Sequence, residues 1–154
     1  MVTRKTTSTV RANALKHGWR SGLEESVAKT LTEAGVPFTY EKTKIRYIKP
    51  ASEHLYTPDF VLDNGIIVET KGLFLVADRK KHILIKRQHP HLDIRFVFSN
   101  SKQRLTKTSR TTYAQWCVKN GFLYADKEIP VDWIKERRKK VSDGTYINEG
   151  KWRR

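Results

Sequence analysis

The chain has 154 residues, with 31 Lys and Arg against 16 Asp and Glu, a formal net charge of +15. That length suits one domain with tails; 38% hydrophobic and 10% aromatic content exclude a wholly disordered basic protein, and no stretch approaches the ~20 apolar residues of a membrane span or the apolar core of a secretory signal. The single cysteine, Cys117, excludes an internal disulfide and a Cys-based zinc site and fits a reducing compartment, while the positive charge points to a polyanion, most often nucleic acid.

In chain order, residues 1–20 hold five basic side chains and no acid, and residues 1–19 read as a flexible basic arm able to neutralise phosphate. Ser21-Gly22-Leu23-Glu24 has the S-x-x-E spacing of a capping box, followed by Leu23, Val27, Leu31 and Ala34 at helical spacing and Gly35 as a stop, which predicts a helix over 21–34. Residues 36–47 alternate loosely and read as one long strand or two short ones, interrupted at Pro50-Ala51-Ser52. Residues 56–62 and 66–72 are β-rich runs joined by Asp63-Asn64-Gly65, a hairpin signal. Asp78 is placed to cap a helix over 79–88, residues 94–98 form a short apolar strand, and 99–110 a polar, basic loop. Helices are predicted over 111–120, stopped by Gly121, and over 131–136 after Pro130. A single domain over 20–137 then gives way to a basic tail, 138–154. The segment 133–154 carries eight Lys and Arg against three acids, a surplus of +5. The order is that of a mixed α/β domain on a small sheet.

The hairpin carries the one feature built for catalysis. Glu69 and Lys71 are two apart on one strand and share a face, and Asp59 lies on the facing strand. Apolar strands are poor places for three charges unless those charges have a task, and converging carboxylates make a hard-oxygen site for Mg²⁺ or Mn²⁺. Register decides whether they converge. A two-residue Asn64-Gly65 loop would turn Asp59 to the opposite face, whereas a three-residue Asp63-Asn64-Gly65 loop with left-handed Gly65 sets Asp59 opposite Glu69. An ordinary ion pair on a solvated face is the competing reading of the same three residues.

Pro58-Asp59, nine intervening residues and Glu69-Thr70-Lys71 resemble the PD-(D/E)xK nuclease motif. More specifically, the chain resembles the phage-type endonuclease I family of Holliday-junction resolvases. The matching blocks include residues 20–24, Pro50-Ala51-Ser52, Tyr56-Thr57-Pro58-Asp59-Phe60, Val68-Glu69-Thr70-Lys71-Gly72-Leu73, Asp78-Arg79-Lys80-Lys81-His82 and Trp133-Ile134-Lys135-Glu136, covering about residues 19–136 in order. The resemblance implies a restriction-endonuclease-like mixed sheet flanked by helices, in an intertwined, strand-exchanged homodimer with its bridge near 48–54. It implies a catalytic set of Glu24, Asp59, Glu69 and Lys71. Two Mg²⁺ ions per site, for which Mn²⁺ can substitute, would be held by Asp59, Glu69, Glu24 and the Thr70 backbone carbonyl. Glu24 enters only through the resemblance, because helix capping explains it without chemistry. Composite sites follow, with Glu24 from one chain and the other three residues from its partner.

Arg20, Arg79, Lys80, Lys81, Lys102, Arg104 and Lys107 are the candidate DNA contacts. The five histidines lack a helical i, i+4 pair and read as surface or packing residues, while Cys117, Trp116 and Trp133 read as core. The expected function is paired, metal-dependent nicking of four-way and other branched DNA, in the cytoplasm of a phage-infected bacterium by family analogy. The alternatives are a nuclease acting on linear duplex and a non-catalytic basic nucleic-acid-binding domain.

Overall fold

A computed structural model describes residues 18–49, 51–139 and 145–148. Most of the proposed N-terminal arm, Pro50 of the bridge and much of the proposed tail lie outside the described residues.

Helix α1 (Gly22–Glu33) starts where the capping signal places it, with Ser21 Oγ accepting from the Glu24 N–H at 3.2 Å. The segment after it resolves into two strands, β1 (Phe38–Tyr40) and β2 (Thr43–Lys49), divided at Glu41, whose φ of 50° is left-handed. Strand β3 (Ser52–Tyr56) folds back on β2, pairing Lys49 with Ser52. The expected run over 56–62 is therefore two elements: Tyr56 closes β3, and Thr57-Pro58-Asp59 lead into β4 (Phe60–Leu62). Proline, which lacks a ladder N–H, stands at this junction. Strand β5 (Ile66–Lys71) completes the hairpin.

Helix α2 (Val76–Gln88) begins three residues before the expected start. Asp78 sits in its first turn as an acid at the positive helix end and is not the cap. Then follow β6 (Asp93–Phe98), α3 (Tyr113–Asn120), β7 (Leu123–Asp126), α4 (Val131–Lys135) and β8 (Tyr146–Asn148). The capping box of α3 is complete between Thr112 and Gln115, and Gly121 ends the helix at φ 74°. Strands β3, β7 and β8 have weak apolar periodicity, which left them invisible in the sequence. Residues 146–148, in the segment read as a tail, pair with β2.

The main sheet has the order β1-β4-β5-β6-β7, antiparallel across β1-β4-β5 and parallel across β5-β6-β7. A smaller antiparallel sheet has the order β3-β2-β8. The main sheet is apolar on both faces, as central strands with parallel neighbours require. On one face Val61, Ile67, Phe96 and Phe98 pack with Ile85 of α2 and Trp116 and Cys117 of α3. On the other, Phe60, Leu62, Ile66, Val68 and Val97 pack with Val27 and Leu31 of α1 and Trp133 near the C-terminal end. Cys117, Trp116 and Trp133 are buried core residues as expected, and burial pushes the Cys117 thiol up to about 12. The small sheet is pinned to α2 by Gln88, whose side chain bonds both the N–H and the carbonyl of Ile48 at 2.6 Å.

Candidate active site

The hairpin takes the odd-length register. Phe60 pairs with Val68 and Val61 with Ile67, which sets Asp59 opposite Glu69. The three loop residues are Asp63, Asn64 and Gly65, with Gly65 at φ 90° and its N–H bonded to Leu62 O at 3.0 Å. Asn64 Oδ1 accepts from the Ile66 N–H at 3.1 Å, while its amide donates to the Trp133 carbonyl at 2.9 Å, locking the turn to the C-terminal end of the domain.

Asp59 is buried beyond the last paired residue of β4 and uses the free edge of β5. Its Oδ2 accepts from both the N–H and the hydroxyl of Thr70, each at 2.8 Å. Alternation along β5 puts Glu69 and Lys71 on the α2 face, the same face as Ile67, and Thr70 on the α1 face with Val68. By bonding Thr70 while facing Glu69 in register, Asp59 links the two faces at the sheet edge.

On the α1 side Asp59 meets Glu24. Ligand oxygens of Glu24, Glu41 and Asp59 all lie within 4.8 Å of one another. Glu24 does not close the expected capping box: its Oε2 accepts from the Arg20 N–H at 2.9 Å, one residue before the helix cap, and from the Tyr40 hydroxyl. Burial holds the Glu24 carboxyl above its ordinary range, the Tyr40 bond opposes this and the charge of Asp59 adds to it. Glu41 is positioned by backbone: its N–H bonds the Asp59 carbonyl at 3.3 Å, joining the β1–β2 corner to the start of β4. Arg20 Nη2 lies 2.5 Å from Glu41 and 4.0 Å from Asp59 with a side chain two-thirds exposed, a solvated cation leaning over an acidic group.

On the α2 side, Glu69 is 2% exposed and its Oε1 accepts from Tyr56 Oη at 2.5 Å. Its Oε2 lies 3.8 Å from Lys71 Nζ and 3.9 Å from His82 Nε2. Burial, then the charge of Asp59, push Glu69 up to about 7 against an ordinary 4.5, with Lys71 and Tyr56 opposing. For Lys71 burial works against the charge, but Glu69, Asp78 and Asp59 outweigh it and keep the ammonium above its ordinary value. Asp78 Oδ1 accepts from Lys71 at 3.3 Å, so the first turn of α2 positions the lysine.

The structure thus gathers all four expected residues around Asp59, with Glu24 on one side and Glu69 and Lys71 on the other. Thr70 is buried between them, with its N–H and hydroxyl committed to Asp59. In the single chain Glu24 reaches Asp59 of its own chain. Sequence reasoning missed Glu41, Tyr40, Tyr56 and His82. Glu41 carried no pattern signal, but Tyr56 and His82 sit inside the two blocks quoted for the resemblance. His82 is fully buried, the packing half of the expected surface or packing role.

The basic candidates separate. Arg20 touches the acidic group, and Lys81 stands over the Tyr56 ring at 5.5 Å and 4.0 Å from Asp78. Arg79 Nη1 donates to the Phe74 carbonyl at 2.5 Å, while Lys80 is exposed. Lys102, Arg104 and Lys107 are exposed on the loop after β6; Arg104 and Lys107 line a groove of about 510 Å³ with Leu73, Leu75 and Tyr113.

Hard carboxylate oxygens buried in a basic chain, two of them held above their ordinary protonation range, suit a divalent cation. A neighbouring buried lysine suits chemistry at a phosphate. Comparisons with known proteins give the family. Endonuclease I of Escherichia phage T7 is 57% identical over 123 residues, 80% of this chain and 83% of that protein. Endodeoxyribonuclease 1 of Enterobacteria phage T3 is likewise 57% identical over 123 residues, 80% of this chain and 81% of that one. The sequence profile described as Phage endonuclease I matches residues 5–152, taking in most of both end segments that the sequence reading left outside the resemblance. With a match of that length and relatives that similar, the chain belongs to the phage endonuclease I family.

Proposed function

We propose that this protein is a metal-dependent endodeoxyribonuclease that makes paired nicks in four-way and other branched DNA. The observation that carries the reading is the buried carboxylate pocket joined through Asp59, with Lys71 beside it, in a chain of net charge +15. The names of its relatives, an endonuclease and an endodeoxyribonuclease, support the reaction class. Their phage origin supports action inside an infected bacterial cell, and no helix among the described residues is long and apolar enough to cross a membrane.

The donor set fits two Mg²⁺ or Mn²⁺ ions. Glu24, Asp59, Glu69 and the Thr70 carbonyl would hold them, and Glu41, whose Oε1 is ion-paired with Arg20, is a further carboxylate at the same place. Bound there, the ions supply Lewis-acid stabilisation to the attacking and leaving oxygens of a phosphodiester displacement. The protein does the rest. Lys71, held by Asp78 and Glu69, orients the attacking water and stabilises charge on the phosphate. Thr70 fixes Asp59, and Tyr56 fixes Glu69. Arg20 beside Asp59 and Lys81 beside Asp78 would contact phosphates flanking the scissile bond, with Arg79, Lys80, Lys102, Arg104 and Lys107 as further candidate contacts. Such contacts read backbone and branch shape more than base sequence.

A strand-exchanged homodimer with composite sites is part of the proposal. Only two residues, Pro50 and Ala51, join the paired Lys49 and Ser52, and Ala51 sits at φ 79°. A residue with a Cβ in that region carries about 1–3 kcal/mol of strain, and short strained hinges favour exchange. Opening the turn would let β2 and β3 run on as one extended segment, so that the Glu24–Asp59 contact forms between chains. Mixing Glu24→Ala subunits with Asp59→Ala subunits should then restore cleavage; no recovery after subunit exchange would count against composite sites.

The function itself is tested with an immobile four-way junction and a linear duplex, with and without Mg²⁺. Metal-dependent paired nicks in the junction alone are expected. Comparable duplex cutting would favour a linear-DNA nuclease, and tight binding without cleavage a non-catalytic binding domain.

A further inference from the structure

His82 holds an unexplained atom. The side chain is fully buried, between the rings of Tyr56 at 5.3 Å and Phe96 at 4.9 Å. Its Nδ1 lies 3.0 Å from the Asp78 carbonyl one helical turn back. A carbonyl only accepts, so Nδ1 carries the proton and Nε2 of the neutral ring presents a lone pair. That Nε2 is buried without a hydrogen-bond partner and lies 3.9 Å from Glu69 Oε2. Two acceptors therefore face each other across a gap too long for a direct bond and suited to one small donor bonded to both. A metal ion is a poor occupant, because the charges of Lys71 and Lys81 bear directly on His82. A neutral donor with two protons, water, satisfies both atoms, and its own oxygen can accept from Lys71 Nζ, 3.8 Å from the same carboxylate oxygen.

We propose that His82 is a positioning residue for Glu69: its Nε2 accepts from a water whose second proton goes to Glu69 Oε2. With Tyr56 donating to Oε1, both carboxylate oxygens are then aimed by neutral donors. The carboxylate plane is then fixed, with a lone pair on each oxygen left for a cation. Outer partners of this kind set the orientation and basicity of metal-ligating side chains. The inference rests on the nuclease reading only in giving Glu69 a cation to hold.

Two measurements on the full chain test it. The first is two-bond ¹H–¹⁵N correlation of histidine-labelled, metal-free protein, with His82→Gln to assign the signal. The expected result is a neutral His82 protonated on Nδ1, with Nε2 showing the shift of a hydrogen-bonded acceptor; a proton on Nε2 overturns the proposal without needing any variant to fold. The second is Mn²⁺ affinity by calorimetry. His82→Phe, which keeps the aromatic packing and loses the acceptor, should weaken Mn²⁺ by about 10–100-fold, and His82→Gln, whose Oε1 can accept, should restore most of it. Folded His82→Phe binding Mn²⁺ like the unaltered protein, or Gln faring no better than Phe, also overturns it. A protein with the expected tautomer and Mn²⁺ pattern that leaves junctions uncut would defeat the nuclease reading alone. Metal-dependent cleavage with the wrong tautomer would defeat this inference alone.

Discussion

Two buried charged constellations sit on adjacent strands of the same sheet, and they are built on opposite terms. Arg95 of β6, 2% exposed, is met by Asp93 at 2.7 and 2.9 Å and by Glu136 at 2.7 and 2.8 Å, with Lys139 bonding Asp93 and the guanidinium lying 5.2 Å over the Trp133 ring. Every charge there has a geometrically good partner. Although burial opposes the charged forms of Arg95 and Asp93, their bonds prevail, holding Asp93 low and Arg95 high. Beside it, Glu69 and Glu24 are raised because burial and the charge of Asp59 outweigh the hydrogen bonds they receive. The first cluster is a satisfied clasp between the sheet and the C-terminal end of the domain. The second is left short of positive charge, a condition that a divalent cation relieves.

The contrast is broken most severely by deleting the pocket's acids. Asp59→Ala or Glu69→Ala forfeits several kcal/mol of transition-state stabilisation, so junction cleavage should fall by about 10³-fold or more, while the metal-free protein stays folded by circular dichroism. Next is Arg95→Ala, which leaves two carboxylates facing each other and should cost roughly 3 kcal/mol in denaturant unfolding, with cleavage per folded molecule unchanged.

Glu69→Gln sharpens the difference in sign. The Glu69 carboxyl titrates near 7 in the fold against an ordinary 4.5, so the folded state binds its proton more tightly than the unfolded state. Metal-free stability should therefore be fullest below about pH 4.5 and fall as pH rises through about 7. The Gln variant removes that loss, gaining at most roughly 3 kcal/mol over the unaltered protein at pH 8. Denaturant unfolding against pH checks it: an unchanged slope in the variant would contradict the assignment. The smallest effect belongs to Glu25, on the same helix as Glu24 but only partly buried. Glu25→Ala should shift stability by no more than about 0.5 kcal/mol and leave cleavage intact.

The sequence made the hairpin legible because its loop is written in turn chemistry. Asp63-Asn64-Gly65 marked the turn but left two registers open, and the structure takes the three-residue loop that sets Asp59 opposite Glu69. The helix capped by Ser21 and the one stopped at Gly121 were equally plain, whereas the capping signal read at Asp78 fell inside the first turn of its helix. Strands β3, β7 and β8 were not, because exposed residues such as Leu55, Leu123 and Tyr124 blur the alternation that marks a strand. Lys139, read as part of the basic tail 138–154, instead docks on Asp93 and on the Asn64 carbonyl. Within the site, Glu24 was visible only through family resemblance, because capping accounted for it locally. Glu41 reaches the pocket through a left-handed backbone turn that no side-chain pattern announces. His82 depends on a long-range approach of α2 to β5, and its sequence neighbours, three cations, suggested a solvated helix start.

The most direct measurement is a Mg²⁺ titration of the metal-free protein and Asp59→Asn at pH 8, followed by calorimetry and thermal unfolding. The pocket described here requires that Mg²⁺ bind and stabilise the unaltered protein, and that Asp59→Asn melt at least as high without metal yet lose the Mg²⁺ response. An unaltered protein indifferent to Mg²⁺, or an Asp59→Asn protein with the same response, would contradict it.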